Sequence, residues 1–261
     1  MKYKFIITII SFIAIFSSNK ISAQSELQTE INSIIAEENV ERRIQLADTF
    51  NIKLRDIISV EEKAKKIDVP ERISQLFSKD NNVGIYTWCI QTERGMYKYY
   101  GVVKSPKGTF ILEDVNGDEN IATEKLIENN WYGAVYYDII DIDINGKKAY
   151  TLIGNDLKGI LSNKKIIDVL SFDDDGNAVF GAPIFENKLQ QRLIFEYSAR
   201  STMYMRYNED MKMIIYNFLI PIDPNFARDH RFYVPDSSYD GLVYKNGVWT
   251  LQENVTFDRE D

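Results

Sequence analysis

One cysteine and one histidine stand in 261 residues. The lone Cys89 excludes an internal disulfide framework. The lone His230 excludes a zinc centre built on several histidines, and it is the only residue a Ser–His–Asp triad or Cys–His dyad could draw on. Basic residues number 31 against 39 acidic ones, a formal charge of −8. No Lys/Arg cluster offsets that balance, so a nucleic-acid partner is not expected. There is no Gly-x-Ser-x-Gly elbow, P-loop, dinucleotide fingerprint or His-Glu-x-x-His pair. The sequence therefore assigns no catalytic residue, no metal site and no cofactor. It has no low-complexity linker and no fixed-period repeat.

Long apolar runs are also scarce. The one at the start, Phe5 to Phe16, covers about 12 residues, too few to span a bilayer. Lys2 and Lys4 precede it, and Ser17, Ser18, Ser22 and Ala23 follow. That order is expected of a signal peptide over 1–23, cut after Ala23, with Ile21 an imperfect −3 residue. No Cys follows the run, which argues against a lipoprotein anchor. Removing Lys2, Lys4 and Lys20 from the 31 basic residues leaves 28 against 39, or −11. No later stretch of the mature chain reads as transmembrane. The expected destination is outside the cytoplasm: periplasm, outer surface or medium.

What is abundant is aromatic. Tyr and Phe together make 30 residues, a composition that favours sheet. The stretch from Trp131 to Phe185 is the clearest. Asn145-Gly146 between extended segments predicts a type I′ hairpin, because both central positions need positive φ. The two-residue loop sets Ile144 against Lys147, Asp143 against Lys148, Ile142 against Ala149, Asp141 against Tyr150 and Ile140 against Thr151. The three isoleucines then share one face, and Asp143 is placed to pair with Lys148.

That register disposes of a calcium loop at Asp141-x-Asp143-x-Asn145-Gly146, whose twelfth position is Leu152 rather than Glu. Asp114-x-Asn116-x-Asp118 fails similarly, with Glu119 where the turn glycine belongs. Asp173-Asp-Asp-Gly176-Asn177 reads as an acidic turn. Ser162-Asn-Lys-Lys165 matches Ser-x-x-Lys but reads as a polar turn before a strand, without a downstream Lys-Thr-Gly.

Along the chain, residues 24–69 are expected to be an N-terminal helical segment. Leu27, Ile31, Ile34, Val40, Ile44, Ala47, Leu54 and Ile58 form an apolar stripe, and Asn39 marks a break. Residues 70–261 are expected to be an antiparallel β domain. Strands are predicted at Ile73–Phe77, Val83–Gln91, Met96–Val103, Thr109–Val115 and Ile166–Phe172. Thr123–Asn129 reads as a short helix or loop. Gln191–Ala199, Met203–Tyr207 and Met211–Leu219 follow as strands, and a second Asn-Gly hairpin sets Tyr244 against Trp249. The fold class is mainly β, an antiparallel meander forming a sandwich, barrel or propeller-like sheet.

Ile85-Tyr-Thr-Trp88, Tyr99-Tyr-Gly101, Trp131-Tyr-Gly133, Phe180-Gly-Ala-Pro-Ile-Phe185 and Pro235-Asp-x-Ser-Tyr-Asp-Gly241 stand in this order. Together they resemble a family of exported bacterial proteins of unknown function. The resemblance covers about residues 70–257. It implies export and a β-rich unit, and it carries no activity or catalytic residue.

Two places are candidates for binding. Pro221–Gly241 reads as an irregular loop carrying His230, Asp236, Tyr239 and Asp240. Trp88, with Tyr86, Tyr97 and Tyr99 on adjacent strands, would suit stacking on a ligand if exposed. The leading expectation is a non-catalytic module that binds a glycan or an envelope protein, or acts structurally. The alternative is a carboxylate-dependent hydrolase of glycans, with Asp236 and Asp240 as its acid pair. Cys89 reads as a buried structural thiol.

Overall fold

A computed structural model describes residues 26–68, 71–114, 121–157 and 159–257. The expected signal peptide lies outside them, as does most of the Asp114–Asp118 motif.

The N-terminal segment is two helices, α1 over 26–36 and α2 over Val40–Ser59. The break falls at Asn39, whose side-chain oxygen accepts the Arg42 N–H at 2.9 Å. Asparagine favours this N-cap position because its short side chain reaches an unpaired amide of the first turn. Leu27, Ile31 and Ile34 join Ala47, Phe50, Leu54 and Ile58 in one buried stripe.

Among the described residues three open antiparallel sheets follow, and none closes into a barrel. Sheet I is a meander of β1 (Ser74–Phe77), β2 (Gly84–Glu93), β3 (Met96–Ser105) and β4 (Gly108–Glu113). Sheet II holds β5 (Leu126–Ile127), β6 (Val135–Ile144), β7 (Lys147–Asp156), β8 (Ser162–Phe172), β9 (Ala178–Phe180) and β10 (Leu193–Ser198). Its order is β5-β9-β8-β7-β6, with β10 paired to the early half of β8. Sheet III is β11 (Met205–Asn208), β12 (Met213–Pro221), β13 (Tyr233–Lys245) and β14 (Val248–Gln252).

Strand alternation stacks these layers. Tyr86, Trp88, Tyr100 and Val102 face the helices, while Ile85, Tyr99 and Val103 on the opposite face meet Tyr136, Leu152 and Ile166 of sheet II. Ile140, Ile153, Ile167 and Val169 leave the other side of sheet II to meet Ile214, Leu242 and Trp249. The order is helices, sheet I, sheet II, sheet III. Sheet II is covered on both faces, which accounts for the nearly unbroken apolar run Ile166-Ile-Asp-Val-Leu170 in its central strand.

Both hairpins have the registers their sequences predict. All five β6–β7 pairs are as expected, with Asn145 at φ 54° and Gly146 at φ 82°. Tyr244 opposes Trp249 across the second turn. The expected Asp143–Lys148 pair does not form. Lys148 reaches across to Asp80 of the β1–β2 turn, and Asp143 accepts the Gly146 N–H at 2.7 Å. A partner from the neighbouring sheet outcompetes the exposed cross-strand one.

Three other expectations need correction. Thr123–Asn129 contains strand β5, followed by a 3₁₀ turn at Glu128–Asn130. Ser162 opens β8 rather than sitting in a turn, and its hydroxyl donates to Glu196. Pro221–Gly241 is only partly a loop: irregular chain runs over 222–232, and the remainder belongs to β12 and β13. Pro235 fits in β13 because the register there is broken, with Asn217 opposite Tyr239 but Leu219 opposite Pro235.

Cys89 is partly buried against the core between sheets I and II. Burial pushes its thiol up to about 11, with the Asp156 charge adding to the rise. The folded chain holds this proton more tightly than the unfolded one. The associated stability is therefore present below pH 9 and lost as pH rises towards 11. At pH 8 the native thiol is expected to react with iodoacetamide about 100-fold more slowly than the urea-unfolded chain, the ratio set by two pH units of thiolate population. Equal rates in the two states would show that Cys89 is not shielded.

Candidate functional site

β12 and β13 form a long hairpin whose outer half diverges from the regular ladder. Residues 236–238 stand opposite Phe218 alone, a bulge that twists the hairpin. Asp236 holds this bulge together by accepting the Ser238 N–H at 2.8 Å and the Ser238 hydroxyl at 2.7 Å. Beyond it, 3₁₀ turns at Pro224–Phe226 and His230–Phe232 are capped by Asp223 and Asp229.

The hairpin stands beside β10, and between them lies a cleft of about 730 Å³. Sheet III contributes Tyr216, Asn217, Phe218 and Asp240, and the hairpin tip contributes His230 and Tyr233. Sheet II contributes Asp156, Lys164, Phe195 and Glu196, with Tyr132 and the 121–122 segment closing the far side. The rim is aromatic and accessible: Phe218 is 46% exposed, and exposed His230 stacks on Tyr233 at 4.5 Å.

Hydrogen bonds fix the polar groups. Buried Asp156 accepts the Tyr99 hydroxyl at 3.0 Å and the Tyr132 hydroxyl at 2.9 Å. Asp240, 8% exposed, accepts the Asn254 N–H at 3.1 Å. Burial pushes the Tyr216 hydroxyl well above its ordinary range, and the Asp240 charge adds to this. Lys164 lies opposite Asp156 on one side and Glu196 on the other.

A wholly buried pair props up the wall. The Arg192 Nε donates to Asp168 Oδ1 at 3.2 Å, with both side chains fully inaccessible. Its Nη1 donates to the carbonyls of Ile121 and Glu124, and its Nη2 to that of Phe180. Asp168 also accepts the Tyr136 hydroxyl at 3.1 Å. Arg192 thereby ties the 121–124 segment to sheet II.

Of the five residues picked out by sequence, the structure brings His230 and Asp240 together in this cleft. Asp236 is occupied in the bulge. Tyr239 lies on the outer side of sheet III, edge-on to Phe257 at 4.9 Å and to Tyr204 at 5.9 Å. Trp88 is not a stacking platform: it is 1% exposed, sandwiched between sheet I and the helices. Asp240 lines the cleft and Asp236 does not. Asp156, Lys164 and Glu196 were missed because each looks like an ordinary strand polar residue. Only the unbroken acid–lysine pairing across β7, β8 and β10 marks them out.

Among the described residues, no group of three or more His, Cys, Asp or Glu side chains is arranged to hold a metal, and no helix is long and apolar enough to cross a membrane. No family model, curated protein or solved structure matches this chain.

Proposed function

We propose that this chain is an exported, non-catalytic binding module and that its ligand occupies the cleft between β10 and the β12–β13 hairpin. The observation that carries the reading is the rim of accessible aromatic rings over a floor of fixed carboxylates. Rings such as Phe218 and Tyr233 give area at little cost in conformational freedom, and a few oriented polar groups select among ligands. The resemblance to exported bacterial proteins and the signal-peptide pattern support an extracytoplasmic site of action. The candidate ligands are an envelope glycan and an envelope protein.

A second reading has one observation in its favour. Asp156, Glu196 and Asp240 line one cleft, and a carboxylate-dependent glycan hydrolase works with two such groups across a cleft.

Both are tested by passing the purified protein over immobilised envelope polysaccharides and envelope-protein peptides, reading retention and new reducing ends together. Retention without new ends, weakened at least tenfold by Phe218→Ala, is expected. Phe218 is exposed, so this change leaves the fold intact. Retention indifferent to Phe218→Ala, or no retention on either support, overturns the binding reading. New reducing ends establish the hydrolase instead.

A further inference from the structure

The cleft touches three consecutive residues of β10: Ile194, Phe195 and Glu196. Their side chains alternate between the two faces of sheet II, so a cleft that meets all three runs along the edge of the strand. Among the described residues, β10 pairs only with β8. The Ala199 N–H donates to the Leu161 carbonyl at 2.9 Å, one position beyond the Ser198–Ser162 pair. This directly opposed bond sets the phase of the ladder: odd-numbered residues of β10 bond to β8, and even-numbered ones point N–H and C=O outward.

The outward groups are taken at both ends. The Arg192 N–H meets the Ala122 carbonyl at 3.4 Å, and the Ser198 carbonyl accepts the Ser201 N–H at 3.0 Å. Between them, among the described residues, no backbone or side-chain group bonds the outward N–H and C=O of Ile194 and Glu196. The result is a gap in a strand edge, about 7 Å from one outward residue to the next, opening into a cleft.

The two sides of the gap differ. Glu196, Asp156 and Lys164 lie on one, and Phe195, packed on Tyr216 at 4.9 Å, lies on the other. Asp156, Glu196 and Asp240 outnumber Lys164 in a chain of net charge −8.

We propose that the cleft takes an extended peptide segment of another protein, which adds as a short strand to the Ile194–Glu196 edge and places a basic side chain towards Glu196 and an apolar one towards Phe195 and Tyr216. The proposal rests on the cleft being the binding site. Main-chain bonds to the edge would supply affinity, and the two unlike sides would select alternate side chains.

The probe is fluorescein-labelled acetyl-Lys-Phe-Lys-Phe-Lys-amide, with a Glu-for-Lys analogue and two analogues N-methylated at alternate residues in either phase. The Lys peptide is expected to bind and the Glu peptide to bind at least tenfold more weakly. One N-methylated phase should lose binding and the other keep it, because only alternate amides face the edge. Ile194→Pro removes an outward N–H and no bond to β8, and should weaken binding at least tenfold with an unchanged circular-dichroism spectrum. Glu196→Gln should erase the preference for Lys over Glu.

Peptide binding insensitive to both N-methyl phases overturns strand addition, even if Ile194→Pro proves unstable. Polysaccharide retention lost in Phe218→Ala, with no peptide binding, leaves the cleft as the site and overturns the peptide. Binding of neither overturns the cleft reading itself.

Discussion

Arg192→Ala is expected to lower stability by roughly 3–5 kcal/mol, the range for removing one partner of a buried ion pair. The change leaves the Asp168 carboxyl group fully enclosed and short of its cation. It also strips hydrogen bonds from the carbonyls of Ile121, Glu124 and Phe180. Unpaired buried acceptors are costly because the water they lose on folding is not replaced. Arg192→Lys should not rescue, since one ammonium cannot reproduce a fork that reaches Asp168 and three carbonyls together. Urea unfolding checks this through a lower midpoint at constant slope. A loss below about 1 kcal/mol would mean that the pair is relieved by water or by relaxation. Because Arg192 tethers the 121–124 wall, the folded fraction of the variant should also bind ligand more weakly.

Trp88→Ala is expected to cost roughly 3–5 kcal/mol, the range for deleting a large buried aromatic. The ring stacks on Tyr100 at 4.6 Å, meets Phe50 edge-on at 5.2 Å and donates from Nε1 to Asn51 at 3.2 Å. Its removal opens a cavity between α2 and sheet I and takes a bond from Asn51. Ligand retention by the folded variant should be unchanged, because none of these contacts borders the cleft. Thermal unfolding and the column assay together decide it: a stable variant that no longer binds would restore Trp88 as a binding residue and overturn its assignment to the core.

Trp88 also shows where sequence reading stops. A tyrosine–tryptophan face on a strand looks the same whether a ligand or a helix covers it. Nothing local says that Leu27, Phe50 and Leu54 fold back over it. The same limit hid Lys148–Asp80, because a residue 68 positions away was no part of the hairpin. It also made β13 look like a loop. Three prolines and a run of Asp and Ser read as irregular, yet the bulge at 236–238 lets the strand accept Pro235 and continue to Lys245. The cleft was half visible. His230 and Asp240 stood out as rare or clustered, while Asp156 and Glu196 did not, since cleft carboxylates and solvated strand carboxylates share one alphabet.

What the amino-acid order determined by itself is short-range. Two Asn-Gly turns impose positive φ and so the registers of their hairpins. Asn39 caps the second helix, and alternating apolar residues commit most of the chain beyond residue 70 to antiparallel strands. These outcomes depend on neighbours a few residues apart, where sterics and hydrogen-bond geometry leave few choices. The tertiary structure decided the stacking of helices and three sheets, the burial of Trp88, the enclosure of Arg192 with Asp168 and the meeting of Asp156, Glu196 and Asp240. Each depends on which apolar face covers which. Burial free energy is non-directional and scales with area, so it names the faces to be covered and leaves their partners to the packing of the whole chain.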